Sequence, residues 1–101
     1  MDFTFADHKD MTFKAADGVL FSIVGAEGVL LSTVEGAYYG LDEVGVFAWT
    51  RLTDGQSLES VHSDVIAAFD VGAETVQRDL EALIRELLKA GLIRRASPGD
   101  A

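Results

Sequence analysis

The sequence predicts an α+β domain of winged helix-turn-helix type, a three-stranded antiparallel sheet followed by three helices. Three observations predict it. Short β-branched and aromatic runs separated by glycine turns occupy residues 19–41, helically spaced apolar residues occupy 44–88, and the last two helical runs are joined by the short break Asp70 to Gly72. With 101 residues, 49% of them hydrophobic and 25% charged, the chain is read as one domain, residues 1–101, whose core spans about 19–93.

The first strand is Val19 to Val24, reading VLFSIV, and it ends at the turn-like stretch Gly25 to Gly28. Val29 to Val34 repeats the strand composition. Glu35-Gly36 turns the chain again, and Ala37 to Leu41 forms the third strand. The earlier piece Met11 to Lys14, with Phe13, is expected to pair at the edge of this meander, with Asp17-Gly18 as the hairpin turn.

Asp42 is placed to cap the first helix, and Glu43 suits the positive end of its dipole. Val44, Val46, Phe47, Ala48, Trp49 and Leu52 make that helix apolar almost all round, the mark of a central element. Asp54-Gly55 ends it. Ser57 and Glu59 start the second helix, whose Leu58, Val61, Val65, Ile66 and Phe69 share a face. In the third, Val76, Leu80, Leu83, Ile84, Leu87 and Leu88 form an apolar stripe while Gln77, Arg78, Glu81 and Arg85 are expected to face away. Gly91 stops it, and the tail Ser97 to Ala101 is expected to fray.

The inventory excludes much chemistry. Without cysteine there is no disulfide, thiolate metal site or cysteine nucleophile. His8 and His62 have no partner motif, and His62 reads as a partly buried helix histidine. Neither an EF-hand loop nor a His-Glu-x-x-His helix is present, and the glycines at 25–28 and 36–40 fit no phosphate-binding fingerprint. Asp79, Glu81 and Glu86 read as a solvated helix face. No catalysis, metal or cofactor is expected.

Seventeen acidic against eight basic residues give a formal charge of −9, which repels phosphate backbones and anionic membranes. A winged-helix DNA-binding regulator would read its target with the third helix. Here residues 74–89 set Arg78, Arg85 and Lys89 against Glu74, Asp79, Glu81 and Glu86, so no nucleic-acid partner is expected. No apolar run approaches the ~18 residues of a membrane span. The acidic first ten residues lack the plan of a secretory signal, and a cytoplasmic location is expected.

From Gly28 to Gly55 the chain runs through an apolar strand, a turn at Gly36, Tyr38-Tyr39 closing in Leu41-Asp42, and an apolar helix ending at Leu52-Thr53-Asp54-Gly55. Asp79-Leu80 and Gly91-Leu92-Ile93 follow. This order resembles the PqqD-like family, the recognition elements for ribosomally made precursor peptides, over about Val19 to Ile93. No single motif in it is diagnostic; the order carries the likeness. It is most similar to the discrete recognition proteins of lasso-peptide pathways, where a separate leader peptidase and a cyclase do the chemistry. PqqD of pyrroloquinoline quinone biosynthesis, which serves a radical-SAM enzyme, stands next.

The resemblance implies a protein without catalysis that captures a leader peptide as a strand added beside the third strand, with side chains laid in a groove against the third helix. The docking strand is then Ala37 to Leu41, and Val76, Asp79, Leu80 and Leu83, related by i+3 and i+4 steps, are the candidate groove wall, with Leu83 read first as core and Val76 and Leu80 as shared between core and groove. Asp79 at that groove can pair with a Lys or Arg of the leader. Alternation puts Tyr38 and Gly40 on one face and Ala37, Tyr39 and Leu41 on the other, and leaves open which tyrosine faces the groove. Gly40 either makes room for a bulky leader side chain or marks a bulge or a turn into the helix. The exposed edge is also open to self-pairing as a homodimer.

Overall fold

The structure is a computed structural model and describes residues 3–96. Strands β1 (Phe13–Ala15), β2 (Val19–Val24), β3 (Glu27–Ser32) and β4 (Tyr38–Leu41) precede helices α1 (Glu43–Leu52), α2 (Leu58–Phe69) and α3 (Ala73–Lys89), and β5 (Ile93–Arg95) follows. β2, β3 and β4 form an antiparallel meander in that order. The three helices follow it as the sequence predicts. α1 packs on β3 and β4, α2 on α1, and α3 on α2.

The first hairpin is tighter than the sequence suggests. Its loop is only Gly25-Ala26, with positive φ confined to Gly25 (66°), the type II′ arrangement whose twist suits a two-residue hairpin. Pairing therefore starts at Val24↔Glu27, and β3 runs two residues earlier than the expected Val29 to Val34. Gly28 is thus a strand residue. A Cβ there would lie 2.8 Å from Phe21 Cε1 and 2.9 Å from Val46 Cγ2, so the absent side chain lets α1 sit close on the sheet. At the far end, Ser32 Oγ accepts from Glu35 N and Ser32 O from Gly36 N, which turns the chain away before Val34 can join the strand.

The segment around Phe13 does not extend the meander. β1 pairs with β5 in a separate two-stranded ladder, Phe13↔Arg95 to Ala15↔Ile93, lengthened by Ala16 N–H to Leu92 O and Ala96 N–H to Thr12 O. Phe13 and Ile93 are both buried by this pairing. Gly18 (φ 78°) makes a turn between β1 and β2, but the strands it joins lie in different sheets.

Helix ends follow their caps. Asp42 Oδ1 accepts from Gly45 N at 2.7 Å, and Ser57 Oγ from Ser60 N at 3.2 Å. The remaining free donors of the first turn of α2 are met by backbone, Leu58 N–H to Met11 O and Glu59 N–H to Lys9 O. Asp70 ends α2 in the left-handed region, and α3 stops at Ala90 before Gly91 (φ 71°).

The core is larger than residues 19–93, because Phe3 and Phe5 are buried in it with Phe13. Glu81 and Arg85 face away from the apolar stripe, as expected, with Arg85 exposed and Glu81 half-buried, and they hold this N-terminal segment: Phe5 N–H donates to Glu81 Oε2 at 2.6 Å, and Arg85 Nη2 donates to Phe3 O at 2.8 Å. The ring of His62 packs against Phe5, and its Nε2 hydrogen-bonds Ala73 O at 2.9 Å, consistent with a partly buried helix histidine. Ser97 to Ala101 lie outside the described residues.

Candidate functional site: a groove beside an open strand

β4 is the last strand of the meander, and among the described residues its outer edge is unpaired. Ser32 N–H donates to Ala37 O, so Ala37 faces β3 with its hydrogen bonds. An antiparallel ladder alternates bonded and non-bonded pairs, which gives Tyr39 and Leu41 to β3 and turns the N–H and C=O of Tyr38 and Gly40 toward the open edge. No bulge interrupts the register, so Gly40 is an ordinary strand residue.

Between β4 and α3 lies a groove of about 550 Å³. Its floor is apolar: buried Leu41 from β4, Ala48 from α1, Val65 from α2, and Val76 and Leu80 from α3. Two small residues of α1 shape it. A Cβ on Gly45 would lie 3.2 Å from Leu41 Cδ2, so glycine allows α1 to begin against the end of β4, and Ala48 one turn on leaves space below.

The rim is acidic. Asp42, Asp79 and Glu86 line the groove and are exposed, and among the described residues no Lys, Arg or His lines it. Tyr39 reaches across from β4, and its hydroxyl donates to Glu86 Oε2 on α3. That hydrogen bond, then partial burial, then the nearby charges of Glu86 and Asp42 push the Tyr39 phenol up to about 12, so it stays a neutral donor at ordinary pH. Among the described residues, no three His, Asp or Glu side chains gather as a metal site. An open strand edge over an apolar trough with a negative rim can hold an extended peptide.

The sequence matches the family described as Coenzyme PQQ synthesis protein D (PqqD) over residues 27–93. The chain belongs to the PqqD family. A solved chain of TbiB1 in complex with the TbiA(beta) leader peptide is similar to this PqqD-family protein, with a TM-score of 0.75 and 33% identity, covering 84% of this chain and 99% of that one. A lasso peptide synthetase B1 complexed with the leader peptide shares the fold at a TM-score of 0.74 and 24% identity, covering 81% of this chain and 96% of the other. A comparison with curated proteins gave no match.

Seven of the nine residues the sequence singles out lie on this one groove of the PqqD fold: Tyr39, Gly40, Leu41, Val76, Asp79, Leu80 and Leu83. Tyr38 does not, because it points to the opposite face of the sheet, and Ala37 lies just before β4. The sequence reading passed over Val44, Gly45, Ala48, Val65 and Val71, and it set Glu86 on a solvated face. Continuing the Val76, Asp79, Leu83 series by one more step reaches Glu86, and the Gly45/Ala48 pair in an otherwise bulky helix was the signal for the trough.

Proposed function

We propose that this protein captures the leader segment of a ribosomally made precursor peptide as a strand added to β4, and presents it to the leader peptidase and cyclase of a lasso-peptide pathway without catalysing a step itself. The observation that carries this reading is the open edge of β4 facing α3 across an apolar groove. Main-chain bonds to Tyr38 and Gly40 supply affinity with little demand on sequence, while leader side chains pointing into the trough supply selectivity. The solved relative at 33% identity, with a leader peptide bound, supports it.

The lining of the groove supports a ligand of a particular character. Apolar anchors fill the floor, and Lys or Arg on the leader faces Asp42, Asp79 and Glu86 at the rim. Exposed pairs of this kind contribute only about 0–1 kcal/mol each, so the anchors dominate affinity. Self-pairing of two copies through β4 would compete for the same edge.

The test is titration of a fluorescent leader peptide, encoded beside the gene, into the purified protein. Saturable binding is expected; its absence at high micromolar protein overturns the reading. The family match to PqqD favours a second reading, delivery to a radical-SAM enzyme in coenzyme PQQ synthesis or another peptide modification. Which purified enzyme processes the bound precursor separates the two.

A further inference from the structure

The face of the meander turned away from α1 carries a surface that the groove does not use. Strand register aligns Leu20, Leu31 and Tyr38 in one row across all three strands, and they are 56%, 40% and 77% exposed. Val29 and Val24 stand on the same face, and Val34 projects from the adjoining turn, all exposed. The solvent face of an antiparallel sheet ordinarily alternates to polar residues, and a contiguous apolar patch of this kind marks an interaction site.

Charge narrows the occupant. Between Lys14 and Arg51 the sequence has no Lys or Arg, whereas Glu27 lies on this face opposite Val24, and Asp17 and Glu35 sit in the turns that flank it. A second copy would bring the same acids to the contact, and nucleic acid or an anionic membrane would be repelled. A complementary partner has an apolar centre ringed by Lys and Arg. Position narrows it further. The row Leu20, Leu31, Tyr38 ends at the β4 edge where the leader strand is proposed to add, so a body seated on this face lies beside the bound peptide without entering the groove.

We propose that the outer sheet face docks a folded maturation enzyme, through an apolar contact rimmed by that enzyme's basic side chains, while the leader occupies the groove. The identity of the partner as an enzyme of the pathway rests on the leader-capture reading; the existence of the contact does not.

The experiment uses the full-length protein, the fluorescent leader, and the purified peptidase and cyclase encoded beside it. Leu20→Glu and Leu31→Thr change outer-face side chains that do not line the groove, Leu20 on the strand remote from β4, and leader affinity in the same samples reports that the fold is intact. Expected is a loss of about tenfold or more in affinity for one enzyme, with leader affinity unchanged within about twofold. Unchanged affinity of both enzymes for both variants overturns the proposal. So does sedimentation showing that the wild type pairs with itself through this face and that Leu20→Glu makes it monomeric. A wild type that binds no leader, yet loses an enzyme on Leu20→Glu, sinks the groove reading and sustains this one.

Discussion

Replacing Gly40 with proline is expected to weaken leader binding about thirtyfold while leaving the domain folded. Gly40 lies opposite Val29 in a pair that exchanges no ladder bonds, so its N–H serves the open edge and β3 loses nothing when it is removed. Proline is tolerated on such an edge, and the preceding Tyr39 is already extended. An added leader strand would find one of its carbonyls without a donor, at a cost of about 1–3 kcal/mol. The midpoint, about 2 kcal/mol, corresponds to that thirtyfold rise in Kd. Gly40→Ala is the control: its Cβ meets no atom within 4 Å and the N–H remains, so the change stays within about 0.5 kcal/mol. Fluorescence anisotropy of a labelled leader measures both, and thermal melts report folding. If the folded Gly40→Pro protein binds as the alanine control does, strand addition at β4 is wrong.

Three further outcomes follow from the packing. Gly28→Ala puts a methyl against Phe21 and Val46 and is expected to lower stability by about 1–3 kcal/mol in urea unfolding, because both neighbours are held by the sheet and α1. Phe5→Ala empties a buried site behind α3 and should cost about 3 kcal/mol by the same assay, a larger loss than any exposed N-terminal substitution gives. Tyr39 is neutral below its ordinary value of 10.0 in both folded and unfolded chains, and its folded value is raised to about 12, so the stability it contributes is intact below pH 10 and fades as pH rises through 12. Unfolding curves across that interval should show a decline in the wild type that Tyr39→Phe lessens.

The parts of the fold that were legible in the sequence are those whose signal is local. Asp42 and Ser57 announce their helices by capping chemistry, VLFSIV gives β2 its bounds, and the stripe from Val76 to Leu88 gives α3 its inner face. The groove residues on β4 and α3 came from the ordered resemblance. Alternation divided Tyr38 from Tyr39 but could not say which turns inward, since that depends on which sheet face α1 covers. Gly28 looked like a turn glycine because the closeness of Phe21 and Val46 is tertiary. β1 and β5 are three residues each, too short for any periodicity, and each is stabilised by the other from the opposite end of the chain. The hold of Glu81 and Arg85 on the N-terminal segment was not legible because their partners are main-chain atoms of Phe5 and Phe3, which no side-chain pattern discloses.

The β1·β5 ladder has a consequence for when the protein becomes competent. It joins Phe13 to Arg95, 82 residues apart in sequence, so the last of the described strands is needed to finish a pairing begun at the first. Contacts that distant slow folding, because the intervening chain must be ordered before they form. While the ribosome still holds residues 93–95, β1 has no partner and the segment that braces α3 through Glu81 and Arg85 is tethered at one end only. The brace behind α3 is therefore complete only once residues 93–95 have paired with β1, later than the local meander of β2 to β4 can form.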